Sequence, residues 1–598
     1  MQIIYRNNTL ENVLAAVRAV TSLIAVASFA LLFGFYEPPI RESIVFTVQT
    51  VVFFTFLGIS ILRLLNAESK REYLYVNWYD IPALVALAAV VIGAEHWFGN
   101  VEPYRVRHMA VAVYLMFEVT IKFFLLSVRL AATGRNPSRT LVASFIVLIA
   151  TGAILLMLPK ATPGRMALRP IDALFTSTSA TCVTGLVVVN TGRDFTVMGQ
   201  IVILVLIQLG ALGIVVFGAV FALLLGQALT LRETVAMQDL LSSETASRIG
   251  RTILFIFILT IAVEAGGALA LFGMWDDIAA WNPQTQSRWF YSIFHSISAF
   301  CNAGFDLLGD SLIRYNRRWQ VYGIVCPLIV LGGLGFGVLY NLVNLFFDRL
   351  RLIWSRRVRR QLFSTGEPPM RMRLQTKIVL SVSGALIVVG AATILLFEQF
   401  SGAARPAGPP DVLGAIFQSV TARTAGFNTV PTAELTQSSK LMLMLLMFIG
   451  GSPGSTAGGI KTVTLAVILT TVVATLRRRT DLEMFRRSIR LVVLRRAVTI
   501  TVMFIAAIFI ATMMLTITER SHYPKDFTLL DLAFEVVSAI CTVGLSTGLT
   551  PLLTDAGKLI IIAVMLIGRL GPLTLLAALT LNLRPVRYDY PEEVVIVG

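Results

Sequence analysis

Charge is what this 598-residue chain has least of: Asp, Glu, Lys and Arg together make up 14% of it, against about a quarter in an ordinary soluble domain. With 56% hydrophobic residues and a mean hydropathy of +0.78, the composition points away from a water-covered fold and toward a membrane protein. Cysteine is scarce as well. Four cysteines are too few for a secreted disulfide framework. The four histidines lack metal-ligand spacing, and there is no phosphorylatable Asp motif or metal-ligand cluster, so neither an enzyme nor a primary pump is expected. Acidic residues are outnumbered, 34 against 50 basic, leaving a formal charge of +16. Such an excess could mean nucleic acid, but here the basic residues sit in loops beside apolar runs, where the positive-inside rule accounts for them. No nucleic-acid partner is expected.

Residues 1–135 hold four apolar runs, at about 12–35, 44–66, 80–98 and 108–131, each near the roughly 20 residues a bilayer span requires. The first, after Arg6, has no clear small-residue cleavage site and reads as a retained helix instead of a signal peptide. A voltage sensor would need arginines recurring along one helix; the fourth run carries only Lys122 and Arg129. Glu118 and Lys122 stand four apart, the spacing of a helical ion pair. The segment reads as an accessory bundle.

The rest of the chain repeats. Ser179–Leu186, Ser298–Phe305, Val420–Phe427 and Ser538–Leu545 are short runs of small and hydroxyl-bearing residues set between apolar segments. They align on Gly185, Gly304, Gly426 and Gly544, spaced 119, 122 and 118 residues apart. A second glycine follows in step, at Gly210, Gly332, Gly450 and Gly568. Cys182, Cys301 and Cys541 each lie three residues before the first glycine, so the repeat also explains the cysteines. Four units are expected, over 138–231, 252–348, 374–477 and 497–583, followed by a tail at 584–598.

Each unit predicts an apolar helix, a half-helix too short to span, an irregular glycine strand and a closing helix. In the first, Thr140–Leu158 ends at Pro159, which cannot continue a helix. Asp172, Asp411 and Asp531 open the half-helices as N-caps, and Thr196–Leu225 closes the first unit as one long helix. Irregular backbone at membrane depth is tolerated only where it lines a water-filled cavity or is buried in protein. The joins carry the arginines, Arg349 to Arg373 and Arg477 to Arg496, whereas the loops near the half-helices mix in Asp276, Asp277, Asp306 and Asp310. The joins are therefore expected in the cytoplasm and the loop mouths outside. The fold class expected is an all-α polytopic membrane protein, with four helix, pore-helix, filter-loop, helix repeats about a pseudo-fourfold pore. Such an arrangement would gather four glycine strands at one narrow point. Rings of backbone carbonyls there can replace the hydration shell of a cation, with the negative ends of four helix dipoles behind them.

These residues resemble the Trk/Ktr/HKT superfamily of potassium transporters, most closely its Ktr-type bacterial membrane subunit. The resemblance spans about 138–598. It rests on Thr181-Cys182-Val183-Thr184-Gly185-Leu186, Gln208–Gly213, Leu331–Phe336, Arg423–Thr429, Gly568–Pro572 and Tyr590–Glu593. It implies a selectivity filter made of Val183-Thr184-Gly185, Asn302-Ala303-Gly304, Thr424-Ala425-Gly426 and Thr542-Val543-Gly544, with potassium at their carbonyls. Glycine in all four copies favours potassium over sodium in this superfamily, without excluding sodium conduction or stimulation by sodium. A sodium-selective or sodium-coupled carrier is the alternative. The resemblance further implies no cofactor in this chain and a plasma-membrane (bacterial inner-membrane) homodimer seated on a cytoplasmic ring of nucleotide-binding subunits. The basic joins suit that ring and anionic lipid headgroups equally.

Two further features stand out. Where the other units keep apolar residues, the third has Gly450-Gly451-Ser452-Pro453-Gly454-Ser455-Thr456-Ala457-Gly458-Gly459-Ile460-Lys461-Thr462. Such a segment cannot hold a regular helix, and Gly451–Gly459 is the expected gate. As a phosphate-binding loop it has one residue too many before Lys461 and no preceding strand. Arg569 lies in the fourth closing helix, and an intramembrane arginine needs a partner; it is expected to face the pore and contact carbonyls of the broken segment as a barrier to cations. Arg423, where the other copies have cysteine, is expected to point behind the filter and hold carbonyls. Glu264 and Glu398 read as packing partners and not as ion ligands.

Overall fold

A computed structural model describes residues 5–97, 103–133, 137–164, 167–224, 249–275, 287–359, 371–400, 410–479, 481–520 and 528–579. Asp276, Asp277, Arg360, the 225–231 end of the first expected unit, the 580–583 end of the fourth, and the 584–598 tail with Tyr590–Glu593 lie outside them.

The N-terminal runs form α1 (Asn8–Gly34), α2 (Glu42–Asn66), α4 (Asp80–Trp97) and α5 (Pro103–Thr133), with a short α3 (Lys70–Val76) that the hydropathy reading did not separate. α3 and α4 meet at a 67° bend. Arg18, Glu118 and Lys122 pair inside this bundle, since a lone charge at membrane depth is costly. Lys122 Nζ lies 3.9 Å from Glu118, as their spacing predicts, but the closer partner of Glu118 is Arg18 of α1, hydrogen-bonded to it. Lys122 also donates to Asn77 Oδ1 at 3.2 Å and to the Tyr79 hydroxyl.

Four units follow. Their opening helices are α6 (Pro137–Leu156), α10 (Ile249–Leu271), α14 (Leu374–Phe400) and α18 (Leu491–Thr518); each is, over nearly its whole length, long and apolar enough to cross a membrane. The half-helices are α7 (Pro170–Thr181), α11 (Arg288–Phe300), α15 (Val412–Thr421) and α19 (Leu529–Ile540). At 1.5 Å per residue they reach about 15–20 Å, half of a hydrocarbon core about 30 Å thick. Small residues let opening helix and half-helix touch. The Ser177, Ser296 and Ser419 hydroxyls donate to the carbonyls of Ile149, Glu264 and Ile387 at 2.7, 2.7 and 2.9 Å.

Two expectations need correction. Asp411 does cap α15, accepting from the Gly414 amide at 2.7 Å, but Asp531 sits at the third position of a capping box whose cap is Thr528. Asp172 lies in the first turn of α7 behind Pro170, where its carboxylate faces Lys558 and not its own helix end. The first closing helix is also not continuous. It is α8 (Val197–Leu212) and α9 (Ile214–Leu224), separated by Gly213 at φ 84°. The second is α12 (Cys326–Leu334), led in by a π-turn at Val321–Val325, and α13 (Phe336–Arg359), which meet at 107° across Gly335. The third is α16 (Gln437–Phe448) and α17 (Thr462–Leu476), and the fourth is α20 (Asp555–Leu570) and α21 (Pro572–Leu579), bent by 94° at Gly571. Gly213, Gly335 and Gly571 each stand three residues after the second repeat glycine. The break is thus general, and the hydropathy pattern hid it because both halves are apolar. The join after α17 carries a short hairpin of β1 (Glu483–Met484) and β2 (Arg487–Ser488). Phe485 and Arg486 turn it at φ 49° and 61°, the left-handed pair a two-residue hairpin turn requires.

Buried ion pairs join successive units. Lys440 Nζ of α16 lies 3.0 Å from Asp531 of α19, and Lys558 Nζ of α20 lies 2.7 Å from Asp172 of α7. The second pair links the fourth unit back to the first, 386 residues away. Removing one partner strands the other's charge, so Lys558→Met should lower unfolding stability by about 3–5 kcal/mol. Adding Asp172→Asn should recover most of that loss. Thermal unfolding of the purified single and double variants in detergent checks both.

Candidate functional site

The half-helices end on Cys182, Cys301, Ala422 and Cys541, and each strand then departs from helical geometry in the same way. Val183, Asn302, Thr424 and Thr542 have φ of 56°, 58°, 78° and 50°; the glycine two residues on, Gly185, Gly304, Gly426 and Gly544, has φ of 92°, 68°, 80° and 90°. The residue between is not left-handed. A change in the sign of φ at each step re-aims successive peptide planes, an arrangement open to glycine but strained for Val and Thr, whose branched Cβ disfavours it. Strain of roughly 1–3 kcal/mol per residue persists only where the surroundings over-determine it. Here the ties are visible. The amides of Thr184, Ala303 and Val543 bond the carbonyls of Ser179, Ser298 and Ser538, each at 2.8 Å. The Ser179 and Ser538 hydroxyls accept from Gly185 and Gly544 at 3.1 Å, and the Ser298 and Thr421 hydroxyls donate to Phe305 and Phe427 carbonyls at 2.7 Å. In the third unit the turn is one residue tighter, from Ala425 N to Thr421 O at 2.9 Å.

The four strands close on one another. A methyl group at Gly185 would strike the Ala303 carbonyl oxygen; at Gly304, that of Ala425; at Gly426, that of Val543; at Gly544, that of Thr184. The contacts run from unit one to two, three, four and back to one, so the glycines and the carbonyls preceding them form a ring. The hydroxyls of Thr184, Thr424 and Thr542 are buried with no hydrogen-bond partner among the described residues. On one side of the ring is a cavity of about 310 Å³, lined by Val187–Val189, Asn190, Thr191, Asp194, Asp306, Gly309 and Pro551.

On the other side lies the loop between α16 and α17. Gly210, Gly332 and Gly568 hold their helices so close that a methyl group would meet the carbonyls of Thr181, Phe300 and Ile540, the last residues of the half-helices. In the third unit the corresponding Gly450 instead faces the Gly458 carbonyl: the loop has taken the place of the helix contact. The loop is ordered by backbone bonds, Ser452 N to Gly333 O at 2.9 Å, Phe336 N to Gly454 O at 2.9 Å, Ile460 N to Phe448 O at 3.1 Å and Thr462 N to Gly451 O at 3.0 Å. The Ser452 hydroxyl donates to the Leu334 carbonyl. A methyl group at Gly458 would meet the carbonyl of Cys541 at 2.7 Å, and Thr456 Oγ1 donates to the Phe300 carbonyl at 3.4 Å. Gly451–Gly459 therefore packs against the inner ends of units two and four.

Arg569 completes the contact with unit one. Its guanidinium donates to Thr456 O at 2.5 Å in the loop and to Gly210 O and Ala211 O at 2.6 and 3.0 Å. The two latter carbonyls are among those the end of α8 leaves without helical partners, where a cation also suits the helix dipole. Arg423 turns away from the ring, as its cost there requires. Its guanidinium donates to the Ser383 hydroxyl at 3.0 Å and to the carbonyls of Ser383 and Gly450 at 3.4 and 3.5 Å. Glu264 accepts from Gln208 at 3.2 Å and Glu398 from Thr436 at 2.8 Å. Sequence reasoning missed Lys461, which curls back to donate to the Ala457 carbonyl at 2.6 Å; its resemblance to a phosphate-loop lysine drew attention away from the loop's own carbonyls. It also missed Lys440 and Lys558, both 14 residues after a ring glycine, a shared register that could have flagged them.

The family of TrkH cation transport proteins matches residues 108–583. The chain belongs to this family. It is 37% identical over 473 residues to Ktr system potassium uptake protein B of Bacillus subtilis, covering 77% of this chain and 97% of that relative. It is 35% identical over 467 residues to potassium/sodium uptake protein NtpJ of Enterococcus hirae, with the same coverage. The crystal structure of the potassium transporter TrkH from Vibrio parahaemolyticus shares its fold, with a TM-score of 0.55 at 19% identity, over 83% of this chain and 96% of that one. The chain is accordingly a Ktr-like member of the Trk/Ktr/HKT superfamily, a multi-pass plasma-membrane cation transporter and not an enzyme. α1 to α4 precede the matched region.

Contact with the half-helix ends sets the tolerance of the family glycines. Gly332→Ala would push its methyl into the Phe300 carbonyl, whereas Gly337→Ala meets nothing within 4 Å. The first should destabilise by more than about 1 kcal/mol, and the second should be neutral or stabilise by up to about 1 kcal/mol, the ordinary helical gain of alanine over glycine. Thermal unfolding of the two variants in detergent separates them.

Proposed function

We propose that this protein carries potassium across the plasma membrane, passively, through the ring formed by Val183–Gly185, Asn302–Gly304, Thr424–Gly426 and Thr542–Gly544. The observation that carries this reading is the closed circuit of glycine-to-carbonyl contacts through all four units. A potassium ion gives up its water most readily to several carbonyl oxygens converging on one point. The unpartnered Thr184, Thr424 and Thr542 hydroxyls add polar surface at the same depth, and the negative ends of four half-helices face it. Glycine in all four copies, and relatives named for potassium uptake, favour potassium as the permeant ion over sodium; sodium is the competitor and a candidate stimulant.

The Gly451–Gly459 loop and Arg569 are the gate in this reading. The loop blocks the route below the ring, and the guanidinium is a fixed positive charge beside it. Two unit charges about 4 Å apart interact by about 4 kcal/mol at an effective dielectric near 20, which would slow a cation by up to three decades. Opening requires the loop to release either the Thr456 carbonyl from Arg569 or its backbone bonds to Gly333 and Phe336. The bonds to Gly333 and Phe336 flank the bend at Gly335, which leads through α13 to the Arg349–Arg373 join, where a cytoplasmic partner could pull. The relatives' designation as part of a Ktr system supports a separate regulatory subunit, and we take this to be a nucleotide-binding ring beneath a homodimer of this chain. Anionic lipid headgroups would share the arginines of the Arg477–Arg496 join.

Rubidium or potassium uptake into liposomes holding the purified chain tests the ring. Uptake should be little inhibited by sodium, and Gly185→Ser, which adds a side chain at φ 92° against the Ala303 carbonyl, should reduce potassium preference by about tenfold or more. Preferential sodium flux in the unaltered chain would transfer the assignment to the sodium carriers. For the gate, Arg569→Ala should raise rubidium flux at least about tenfold, given the size of the electrostatic term; unchanged flux and gating would remove Arg569 from the barrier.

A further inference from the structure

The four units tie down the chain beyond the ring in different ways, and one of the ties is a buried carboxylate. At the equivalent place in each half-helix, nine residues before the ring glycine in three units and eight in the third, whose turn is one residue tighter, stand Thr176, His295, Gln418 and Glu535. The Thr176 hydroxyl has no partner among the described residues, His295 Nε2 accepts from the Leu307 amide at 3.5 Å, and Gln418 Nε2 donates to the Val430 carbonyl at 3.4 Å. Glu535 is fully buried and gathers four contacts from one five-residue stretch. Oε1 accepts from the Ser546 hydroxyl at 2.6 Å, the Thr547 amide at 2.9 Å and the Thr547 hydroxyl at 3.3 Å; Oε2 accepts from the Thr550 hydroxyl at 2.6 Å. Ser546 is two residues past Gly544. The same stretch turns through Gly548 at φ 94° and is not a regular helix until Thr550–Leu552. Its backbone therefore depends on side-chain partners to hold its shape. In the first unit the corresponding task falls to Gln200, which donates to the carbonyls of Thr191, Gly192 and Phe195 at 3.3, 3.3 and 3.1 Å.

We infer that Glu535 is a specificity-determining positioning residue: by binding Ser546, Thr547 and Thr550 it fixes the outer end of the fourth strand, and through Gly544 sets the width of the ring. The inference rests on the reading of the ring as the place where ions are chosen. Glu535 touches no ion in it; it works through the strand. A carboxylate suits the position because all of its partners can donate, and because two oxygens on one rigid half-helix span both ends of the stretch. The cost of losing it falls on one unit of the four, so the ring would lose its near-equivalence without losing the fold.

The test is the potassium-to-sodium preference of uptake into liposomes, measured for four variants of the full chain, each first shown to be folded by gel filtration and thermal unfolding. Glu535→Ala, which leaves the Thr547 amide without an acceptor, should lower the preference by about tenfold or more. Glu535→Gln keeps one acceptor for Ser546 and Thr547, and its amide can donate to a Thr550 hydroxyl that turns to accept; it should stay within about threefold of the unaltered chain. Ser546→Ala combined with Thr550→Val removes partners from the other side and should reproduce the effect of Glu535→Ala, and it decides the matter if Glu535→Ala does not fold. The inference is overturned if the folded Ala or Ser546/Thr550 variants keep full preference, or if Gln loses as much as Ala, since charge and not positioning would then be at work. Gly185→Ser runs alongside: if it alone shifts the preference, only the role of Glu535 falls, and if it too changes nothing, the ring reading falls with it.

Discussion

At membrane depth a peptide N–H or C=O without a partner costs several kcal/mol, because no water is there to replace it. This chain places four non-helical strands and a glycine-rich loop at that depth, and the rest of the structure answers to their needs. Serine and threonine hydroxyls at the ends of the half-helices bond strand amides and carbonyls, glycines allow close approach of the closing helices, and neighbouring strands cover one another. What the strands keep unsatisfied, the carbonyls about the ring and three threonine hydroxyls, is gathered in one place. In the function proposed above, cations are selected there for the same reason the strands are costly elsewhere: an oxygen that has lost its water is available to an ion that must lose its own.

The same constraint shapes the closing helices. A helix end leaves four carbonyls without partners, and in three units a glycine in an extended left-handed conformation lets the chain turn sharply and resume as a second helix. In the first unit the freed carbonyls of Gly210 and Ala211 are held by Arg569 from the fourth. The third unit inserts a loop at this point, and its amides, carbonyls and hydroxyls take up groups freed by the break in unit two. One arginine then serves a helix end and the loop together, which couples the loop to the units around it; in the gate proposed above, that single charge also acts on the passage. Buried Lys–Asp pairs bind successive units through the first turns of two half-helices, away from the loop.

Units of equal design are not equal in detail. The third strand turns one residue earlier and has Arg423 behind it in place of cysteine; the fourth is braced by Glu535, the first by Gln200. Such differences let each unit solve the problem of hydrogen bonding its own loop while the ring keeps four similar faces. The N-terminal bundle is a separate addition, attached through α5 to α9 and closed on an internal network of Arg18, Glu118 and Lys122.

Hydropathy and repeat spacing by themselves pointed to the membrane class, the four-fold repeat, the half-helices and the four repeat glycines, because apolar length and glycine placement are local properties of the chain. They also located Arg423, Arg569 and the loop, since an arginine or a run of glycines inside an apolar segment is conspicuous wherever it folds. They did not reveal the breaks at Gly213, Gly335 and Gly571, where apolar helix continues on both sides and hydropathy does not register a change of direction. The caps misled for a related reason: Asp172 has the residue type of an N-cap, but its partner is Lys558, 386 residues on, and only the closing of the ring brings the two together. The order of the strands around that ring, the carbonyls that Arg569 holds and the partners of Glu535 were likewise decided by tertiary structure. Each is a contact between parts of the chain whose separation in sequence carries no record of their distance in space.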